Sequence, residues 1–457
     1  MLSCKFGKNY IVEISGGSHE PEMRVVLSGL PADTVINMNQ LQQFLARRAP
    51  GNSPLSTSRK EADTPFLVKG CEYSQPDTVT VSTDEVLTFA VKNTNIRKKD
   101  YNLTIPRPGH ADLPAHLKYG NTLNMSGGGP FSGRMTAMLC IAGGIAIQIL
   151  EKCGITVKAA PLSIGNVKNN ELDFSSDRYF SITDKMSEKV LSTKEEKDSL
   201  GGIIEFTVQG LPSGLGGPMQ DGLEGCLSYI LYGIPAVKGV EFGNGFACST
   251  LKGSENNDPI LAVDENRKII TETNNHGGIL GGISTGMPLT GRIAIKPTPS
   301  IGKPQRTINL TSGNSCILET EGRHDPCIVP RAVPVVEAAL AIGILDAMLA
   351  DGLPSELRSS TLKAEAPAAE ETELDKCRKE IDFIDGKLKE LLDQRMDIAK
   401  RVAYYKIEND MEIYHPQREQ EILEKVEDHY KDIFAEIMNT SKKIQKNLIN
   451  NRKEKNL

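Results

Sequence analysis

The stretch GLPSELRSSTLKAEAPAAEE, residues 352–371, divides the chain into two parts of different composition. It is rich in Ala, Ser, Pro and Glu and has no apolar periodicity, which is typical of a linker. Glycine is frequent before this stretch, whereas from Glu371 onward the chain holds one glycine, Gly386, and one proline, Pro416. The sequence therefore predicts an α+β domain, a linker and an all-α domain, over residues 1–352, 353–370 and 371–457 respectively.

The bulk composition narrows the class of protein. Of the 457 residues, 39% are hydrophobic and 25% are charged, as in soluble globular proteins. The net charge of −6 argues against a nucleic-acid or membrane-surface partner. The nine cysteines form no C-x-x-C pair, which favours a reducing cytoplasm and predicts neither a metal site nor a disulfide framework.

Apolar patterns in the first part predict both strands and buried helices. The segments IIEFTVQG at 203–210 and RIAIKPTPS at 292–300 are typical of strands that end in turns. The longest apolar run, MLCIAGGIAIQIL at 138–150, is too short for a bilayer and predicts a buried helix. A second buried helix is predicted from VPVVEAALAIGILDAMLADGLP at 333–354, with Gly352 and Pro354 as stop signals.

The last part predicts one long amphipathic helix followed by two shorter helices over 417–430 and 432–449. A helix of this length cannot bury its apolar face alone, so it must pair with another surface. The apolar positions at helical spacing are Leu374, Ile381, Ile384, Leu388, Leu391, Leu392, Ile398 and Val402.

Three cations follow the long helix. Arg395 and Lys406 lie about 16 Å apart along the axis and within about 20° of one face, so together they can hold one small dianion. Arg378 lies about 25 Å from Arg395 and is rotated by about 100°. It can reach the same ligand only from a second chain, which predicts a helical dimer with shared sites. The alternative is that all three are solvated surface cations.

This part of the sequence resembles the all-helical chorismate mutase family over residues 371–450. The resemblance is carried by ELDKCRKEIDFIDGKLKELLDQRMDIAKRVAYYK at 373–406 and IYHPQREQEIL at 413–423, which hold the cations at the family's intervals. It implies the rearrangement of chorismate to prephenate, a pericyclic reaction that needs no nucleophile, metal or cofactor. The protein holds the folded conformer of the substrate and stabilises developing charge.

The mutase resemblance also implies residue roles. Arg378 of a second chain and Arg395 bind the two carboxylates of chorismate. Lys406 and Gln445 contact the ether oxygen, and Glu419 contacts the ring hydroxyl. Arg418 and Ser441 complete the pocket. Ser441 and Gln445 share one helix face. One departure is His415, which stands where the family usually has an acid.

The first part carries histidines and arginines in glycine-rich loops. The loop motifs are GGSHEP at 16–21, RPGHAD at 107–112 and EGRHDPCIVPRAV at 321–333, with further arginines at Arg47, Arg48 and Arg134. Such a basic pocket suggests proton transfer to or from a phosphorylated acid. In SGGGPFSGRMTAM, at 126–138, a glycine-rich loop leads into an apolar helix, whose first amides favour an anion. The alternative for each motif is an ordinary tight turn.

Taken together and in order, these motifs resemble the chorismate synthase family over residues 5–350. The others are NTNIRKKDY, LKYG, GVEFGNGFA, GGILGGIS, KPTPSI and GRHDPC. The resemblance implies a β-α-β sandwich, usually in a homotetramer. It also implies loss of phosphate and a proton from 5-enolpyruvylshikimate 3-phosphate to give chorismate, with reduced FMN as a cofactor that is not consumed. No separate nucleotide-binding domain is evident, so we expect an external flavin reductant.

The synthase resemblance assigns roles to individual residues. His19 acts on the leaving phosphate and His110 protonates the reduced flavin, while Ser18 and Asp325 support flavin proton transfer. The anionic groups of substrate and flavin are bound by Arg48, Arg107, Arg134 and Arg323. The FMN site is lined by Ser132, Ala236, Gly281, Lys296, Pro297, Thr298, Pro299 and Ser300, together with Arg323.

Several positions depart from the synthase pattern. The family's loop usually reads Gly-Glu-Ser-His-Gly, but here Gly17 replaces the acid and Glu20 replaces the last glycine. Pro54 stands where a phosphate-binding arginine is common, and Pro130 and Phe131 replace an arginine and a serine in the flavin loop.

Three hypotheses on function follow from the whole sequence. The main hypothesis is a bifunctional enzyme that makes chorismate and converts it to prephenate. Its rival is an inactive or weak synthase half that serves as a binding or oligomerisation module for an active mutase. A third is a phosphate-binding protein with a coiled-coil dimeriser.

Overall fold

The computed structural model describes most of the chain before residue 351 and the helical segments after residue 380. The described residues are 2–31, 33–51, 55–57, 61–75, 77–81, 86–94, 104–120, 122–172, 174, 182–263, 269–320, 325–351, 381, 384–385, 388, 391–392, 395–396, 398–403, 405–406 and 416–455. The chain separates into two compact units, Met1–Ala364 and Glu365–Leu457. The predicted linker lies outside the described residues.

The strands, in chain order, are β1 (Ser3–Phe6), β2 (Ile11–Gly16), β3 (Glu22–Ser28), β4 (Val35–Asn37), β5 (Phe66–Lys69), β6 (Cys71–Gln75), β7 (Thr78–Val81), β8 (Leu87–Lys92), β9 (Thr156–Ile164), β10 (Val167–Lys168), β11 (Gly202–Gln209), β12 (Val237–Phe242), β13 (Ile260–Val263), β14 (Ile269–Thr271), β15 (Ile279–Leu280), β16 (Ile283–Ser284), β17 (Leu289–Ile295), β18 (Gln305–Ile308) and β19 (Ser315–Leu318). The α-helices whose bounds fall within the described residues are α1 (Met38–Arg48), α2 (Asp112–Tyr119), α3 (Thr136–Lys152), α4 (Asp184–Glu195), α5 (Leu223–Tyr232), α6 (Gly253–Asn256), α7 (Val329–Asp351), α8 (Pro416–Glu424) and α9 (Lys431–Lys455).

Two antiparallel five-stranded sheets form the outer layers of the first unit. Their strand orders are β1-β2-β3-β8-β5 and β10-β9-β11-β17-β12. Burial alternates along β2 and β17, because successive side chains point to opposite faces of a strand. Val12 of β2 is opposite Leu27 of β3, and both side chains are buried. The strands predicted from IIEFTVQG and RIAIKPTPS are β11 and β17.

Helices α3 and α7 form the middle of this unit. Helix α3 packs on β2, β3 and β8 of the first sheet, α7 packs on β9 and β11 of the second, and the two helices pack on each other. Gly143 permits this close approach, since a Cβ at that position would lie 2.2 Å from the Cβ of Ala338. The arrangement confirms the predicted α+β class and the sandwich with helices between sheets.

Two stretches within the described residues, Gly133–Lys152 and Val329–Ala350, are long and apolar enough to cross a membrane by length and composition. Their most apolar windows are 78% and 83% buried inside the protein. Such burial is typical of core helices, as predicted for both apolar runs.

The second unit is helical wherever it is described. The described residues between 381 and 406 are all helical, and α8 packs on α9. A short 3-10 turn, Asp428–Tyr430, separates α8 from α9, so the predicted helix over 417–430 is shorter than expected. The all-α prediction is confirmed for this unit.

Candidate active sites

A cavity of about 1260 Å³ lies in the first unit and gathers cationic side chains from distant parts of the chain. Helix α1 ends at Arg48, and Arg134 lies just before α3, so the packing of α1 on α3 brings these two residues together. The lysines and arginines that line the cavity are Lys5, Arg48, Arg107, Arg134, Lys238, Lys296 and Arg331. Such a concentration of positive charge favours an anionic ligand.

Asp63 bridges two of these arginines. Its Oδ2 accepts a hydrogen bond from Arg48 at 2.5 Å, and its Oδ1 accepts one from Arg134. Burial by itself raises the pKa of Asp63, but the charges of Arg48 and Arg134 outweigh burial and hold that pKa below its ordinary value. The backbone of Asp63 has a φ of +51°, in the left-handed region that aspartate tolerates better than most residues.

Both guanidinium groups have further partners. Arg48 donates from Nε to the Thr136 hydroxyl at 3.1 Å and from NH2 to the carbonyl of Gly133 at 2.9 Å. Arg134 donates from Nε to Asn93 Oδ1 at 2.8 Å and pairs with Glu61. A guanidinium has five N–H groups, and partners within the described part of the chain engage three on each arginine. Both arginines also line the cavity.

Asp325, which the sequence predicts as a site residue, lies on the cavity wall beside Arg331. The two form an ion pair, and the backbone N–H of Thr57 donates to Asp325 Oδ1 at 2.7 Å. Arg331 Nε also donates to the carbonyl of Arg48 at 3.2 Å. These contacts tie the start of α7 to the end of α1.

His110, Arg107 and Asp112 form a connected group at the start of α2. Arg107 donates to both oxygens of Asp112, at 2.7 and 2.8 Å, and from NH1 to Ser300 Oγ at 2.9 Å. The shortest contact of His110 Nδ1 is with Asp112 Oδ1 at 2.7 Å, so we assign the ring proton to Nδ1. Burial opposes ionisation of Asp112, yet the hydrogen bonds from Arg107 and His110 hold its pKa well below the usual range. His110 Nε2 then faces Gly128, where a Cβ would lie 3.3 Å from it.

Ser18 and His19 lie on the loop that follows β2, and both are buried. The hydroxyl of Ser18 lies 3.1 Å from His19 Nδ1 and contacts the carbonyl oxygens of Ser126 and Gly127. Gly127 is required here, because it has a φ of +63° and a Cβ would lie 2.1 Å from the His19 ring. Gly127 lines the cavity, so His19 sits directly behind its wall.

The segment after β17 lines the cavity next to the loop that carries His110. Lys296, Thr298, Pro299 and Ser300 line the cavity, and Lys296 Nζ donates to the carbonyl of Gly109 at 2.5 Å. Burial lowers the pKa of Lys296, and the charge of Lys238 lowers it further. Two ammonium groups that repel each other on one cavity wall favour an anion between them.

In the second unit, α9 brings predicted residues to the described helical residues between 381 and 406 and to α8. Arg395 donates to Ser441 Oγ at 2.6 Å, and this hydroxyl contacts the carbonyl of Ile437 at 2.9 Å. Glu419 of α8 forms an ion pair with Lys442 at 3.0 Å. The cation Arg395 therefore contacts residue 441, and the acid Glu419 contacts the adjacent residue 442.

A family model described as chorismate synthase matches residues 11–349, which is most of the chain. The chain belongs to the chorismate synthase family. A second model, described as chorismate mutase type II, matches residues 377–446. The chain therefore carries two enzyme domains of aromatic amino acid biosynthesis, a chorismate synthase domain, which is a lyase, and a chorismate mutase domain, which is an isomerase.

Curated relatives match the chorismate synthase domain over nearly their whole length. The chorismate synthase of Lancefieldella parvula is 40% identical over 375 residues, which cover 76% of this chain and 97% of the relative. The chorismate synthase of Pyrococcus abyssi is 42% identical over 342 residues, which cover 73% and 94% respectively. A solved structure titled "Crystal Structure of Chorismate Synthase" shares the fold, with a TM-score of 0.59, 23% identity and coverage of 78% of this chain and 98% of that one.

Most of the residues predicted for the chorismate synthase domain lie at one cavity. Those that line it are Arg48, Arg107, His110, Ser132, Arg134, Ala236, Lys296, Thr298, Pro299, Ser300 and Asp325. Gly281 does not line it but lies in the exposed turn between β15 and β16, and Pro297 is likewise absent from the wall. Ser18 and His19 lie one residue layer behind it. Arg323, Pro54, Arg378, His415 and the side chain of Arg418 lie outside the described residues.

Sequence reasoning missed the groups that hold the predicted residues. Asp63 and Glu61 pair with the predicted arginines, and Asp112 pairs with His110. Two of the missed residues stand inside the loop motifs themselves, Asp112 in RPGHAD and Arg331 in EGRHDPCIVPRAV. By contrast, Lys238 and Lys442 carry no signal in the sequence, because their partners are distant in the chain.

Proposed function

We propose that the chain catalyses two successive reactions. Its chorismate synthase domain eliminates phosphate from 5-enolpyruvylshikimate 3-phosphate to give chorismate, and its chorismate mutase domain converts chorismate to prephenate. The observation that carries the first reaction is the single cavity lined by Arg48, Arg134, Arg331 and His110. It combines guanidinium donors for an anionic substrate with a histidine oriented for proton transfer.

The cavity also fits reduced FMN. Lys238 and Lys296 suit the phosphate of the cofactor, because an anion between them relieves their repulsion. Thr298 and Ser300 add hydroxyl groups on the same wall. These residues would hold reduced FMN, which would supply the electron that assists loss of phosphate and is recovered at the end of the reaction. We propose that an external reductant provides the reduced flavin.

The chain's own residues then have separate tasks in phosphate loss. Arg48 and Arg134 bind the phosphate and carboxylate groups of the substrate through donors that Asp63 and Glu61 do not engage. The Ser18–His19 pair, which lies behind the cavity wall at Gly127, passes a proton to the departing phosphate in this proposal. His110, with its Nδ1 proton directed to Asp112, exchanges a proton through Nε2.

For the chorismate mutase domain, Arg395 binds a carboxylate of chorismate while Ser441 orients its guanidinium. Glu419 holds the ring hydroxyl, and Lys406 and Gln445 stabilise the ether oxygen as charge develops there. Arg418 completes the pocket, and Arg378 enters from a second chain. An exposed apolar stripe supports such a dimer. Its residues recur at helical intervals of three, four or seven and are 41–61% exposed in one chain: Ile381, Ile384, Leu388, Leu391, Ile398 and Val402.

We further propose a cytoplasmic homo-oligomer, either a dimer or a tetramer, that binds small-molecule substrates and no nucleic acid. The net charge of −6 and the absence of a C-x-x-C pair among nine cysteines support this assignment.

A weak or inactive synthase domain is the second candidate, favoured by one specific observation. Pro130 and Phe131 both line the cavity, with Phe131 39% exposed and close to Tyr119, and Pro130 brings no charge to a position where the family usually has an arginine. Replacing a charge-assisted contact in an anion site costs about 1.5–3 kcal/mol. The first candidate releases inorganic phosphate from 5-enolpyruvylshikimate 3-phosphate, and the second releases little or none.

Phosphate release separates them. The purified full-length chain is mixed anaerobically with 5-enolpyruvylshikimate 3-phosphate and chemically reduced FMN. We expect release that disappears in His19→Ala and persists in the matched variant His116→Ala, whose histidine does not line the cavity. A sample that converts chorismate to prephenate but releases no phosphate would establish the second candidate.

A further inference from the structure

The turn that carries Ser18 and His19 has an unusual distribution of charge. It begins with Gly17 and ends with Glu20, whereas the family's usual sequence, Gly-Glu-Ser-His-Gly, has the acid before the Ser-His pair and the glycine after it. The role in catalysis argued below for the Glu20 charge rests on the proposed function of the chorismate synthase domain.

The turn is closed and tied to the arginine cluster through its backbone. The N–H of Glu20 donates to the carbonyl of Gly17 at 3.1 Å. Asn93 Nδ2 donates to the carbonyls of Gly17 and Glu20 at 3.1 and 2.8 Å, while Asn93 Oδ1 accepts from Arg134 at 2.8 Å. The side-chain amide of Asn93 therefore holds the two ends of the turn together and also orients Arg134.

The side chain of Glu20 folds back over Gly17. A Cβ on residue 17 would lie 3.5 Å from Glu20 Cγ and 3.6 Å from Glu20 Cδ, with the carbonyl carbon of Gly129 also at 3.5 Å. A single methyl group fits there in ordinary contact. A longer side chain at residue 17 must enter the volume that the Glu20 side chain occupies, so the two positions compete for one space.

The carboxylate in this space is buried on one side. Glu20 Oε2 is inaccessible to solvent and has no hydrogen-bond partner among the residues that the structure describes. Buried polar atoms usually have a partner, and an exception at a functional turn points to a use for the group. Glu20 directly follows His19 in the chain, so this charge lies in the same short turn as the Ser18–His19 pair.

We infer that Glu20 is a positioning residue for the Ser18–His19 pair, and that it supplies from the end of the turn the carboxylate that residue 17 supplies in the usual pattern. Gly17 leaves the space for it. The acid thus lies at the other end of the same turn, and its side chain fills the space over residue 17.

An exchange of the two residues tests this inference in the full-length chain. The variants are Glu20→Gln, Gly17→Ala, Gly17→Glu, the acid swap Gly17→Glu/Glu20→Gly and the amide swap Gly17→Gln/Glu20→Gly. Each is measured by its thermal unfolding and by kcat and KM for phosphate release with reduced FMN. The amide swap is the matched control, because it has the size of the acid swap without its charge.

We expect Glu20→Gln to unfold like the wild type but to lower kcat by about tenfold or more, with little change in KM. The acid swap recovers most of that loss, and the amide swap does not. Gly17→Glu lowers the unfolding temperature when Glu20 is present but not when residue 20 is glycine, and Gly17→Ala changes it little. Wild-type kcat in Glu20→Gln, or equal rates for the two swaps, would overturn the role of the charge.

The same set distinguishes this inference from the proposed function. If the wild-type chain releases no phosphate, the proposed synthase reaction and the catalytic use of Glu20 are both wrong. Thermal unfolding then still tests whether the side chains at 17 and 20 compete for one space, because this measurement does not depend on enzyme activity. If the acid swap fails to fold, Glu20→Gln alone decides the role of the charge.

Discussion

The two candidate sites differ in their surroundings. In the first unit, Arg48 and Arg134 of the cavity are buried and already paired with Asp63. In the second unit, Leu388 and Leu391 of the long helix are exposed by 51% and 61%. A cavity organised by internal ion pairs needs only its ligands, whereas an exposed apolar stripe needs another surface. The exposed stripe therefore supports the proposal that a second chain completes the mutase site.

The largest expected effect tests the mutase site itself. Arg395→Ala removes a donor to the substrate carboxylate, so we expect kcat/KM for chorismate to fall by about 10²–10³-fold. The loss of chorismate absorbance measures it. Lys443→Ala, at an exposed position of α9, is the matched control and should leave the rate unchanged. A fall of less than about tenfold would place the carboxylate elsewhere.

A complementation experiment tests whether the mutase site is shared between chains. Arg378→Ala and Arg395→Ala are each expected to be nearly inactive. When the two variants are mixed and reassembled, each dimer that contains one chain of each variant has one intact site. Random pairing restores about a quarter of the sites. Mutase activity after mixing measures this recovery. Leu388→Asp in both chains should abolish it, and no recovery from the first mixture despite exchange of chains would contradict the shared site.

The internal pairing of the synthase domain predicts a large effect on stability. Asp63→Asn keeps a residue that tolerates the left-handed backbone but removes the charge between Arg48 and Arg134. Breaking a buried ion pair costs about 3–5 kcal/mol, so the free energy of unfolding should fall by about that amount. Urea unfolding of the full-length chain measures it. Asp184→Asn, at the exposed start of α4, should change it by no more than about 1 kcal/mol.

Much of the architecture and of the cavity follows from local sequence. The apolar runs at 138–150 and 333–354 predict α3 and α7, because an almost wholly apolar helix must lie in a core. Loop motifs likewise predict Arg48, Arg134 and His110. Their partners do not follow from local sequence, because the pairing of Arg134 with Asp63, 71 residues away, depends on how the segments pack. Gly281 shows the converse, since a glycine-rich turn can match a motif and still lie away from the cavity wall.

The smallest expected effect is the pH dependence of the same pairing. Asp63 and Asp112 both have a folded pKa below the ordinary value for aspartate, which is about 3.9. Their contribution to stability is therefore full above that value and is lost as pH falls through the folded pKa. Each group contributes a slope of at most about 1.4 kcal/mol per pH unit in that window. Urea unfolding between neutral and strongly acidic pH measures it, and Asp63→Asn should show a shallower decline than the wild type.

The most direct test follows both reactions in one vessel. Purified full-length chain receives 5-enolpyruvylshikimate 3-phosphate and chemically reduced FMN under anaerobic conditions, and phosphate and prephenate are measured over time. The account predicts that both products appear, with prephenate approaching the amount of phosphate released. Phosphate without prephenate, or neither product from a chain that still rearranges added chorismate, would contradict the claim that one chain performs both steps.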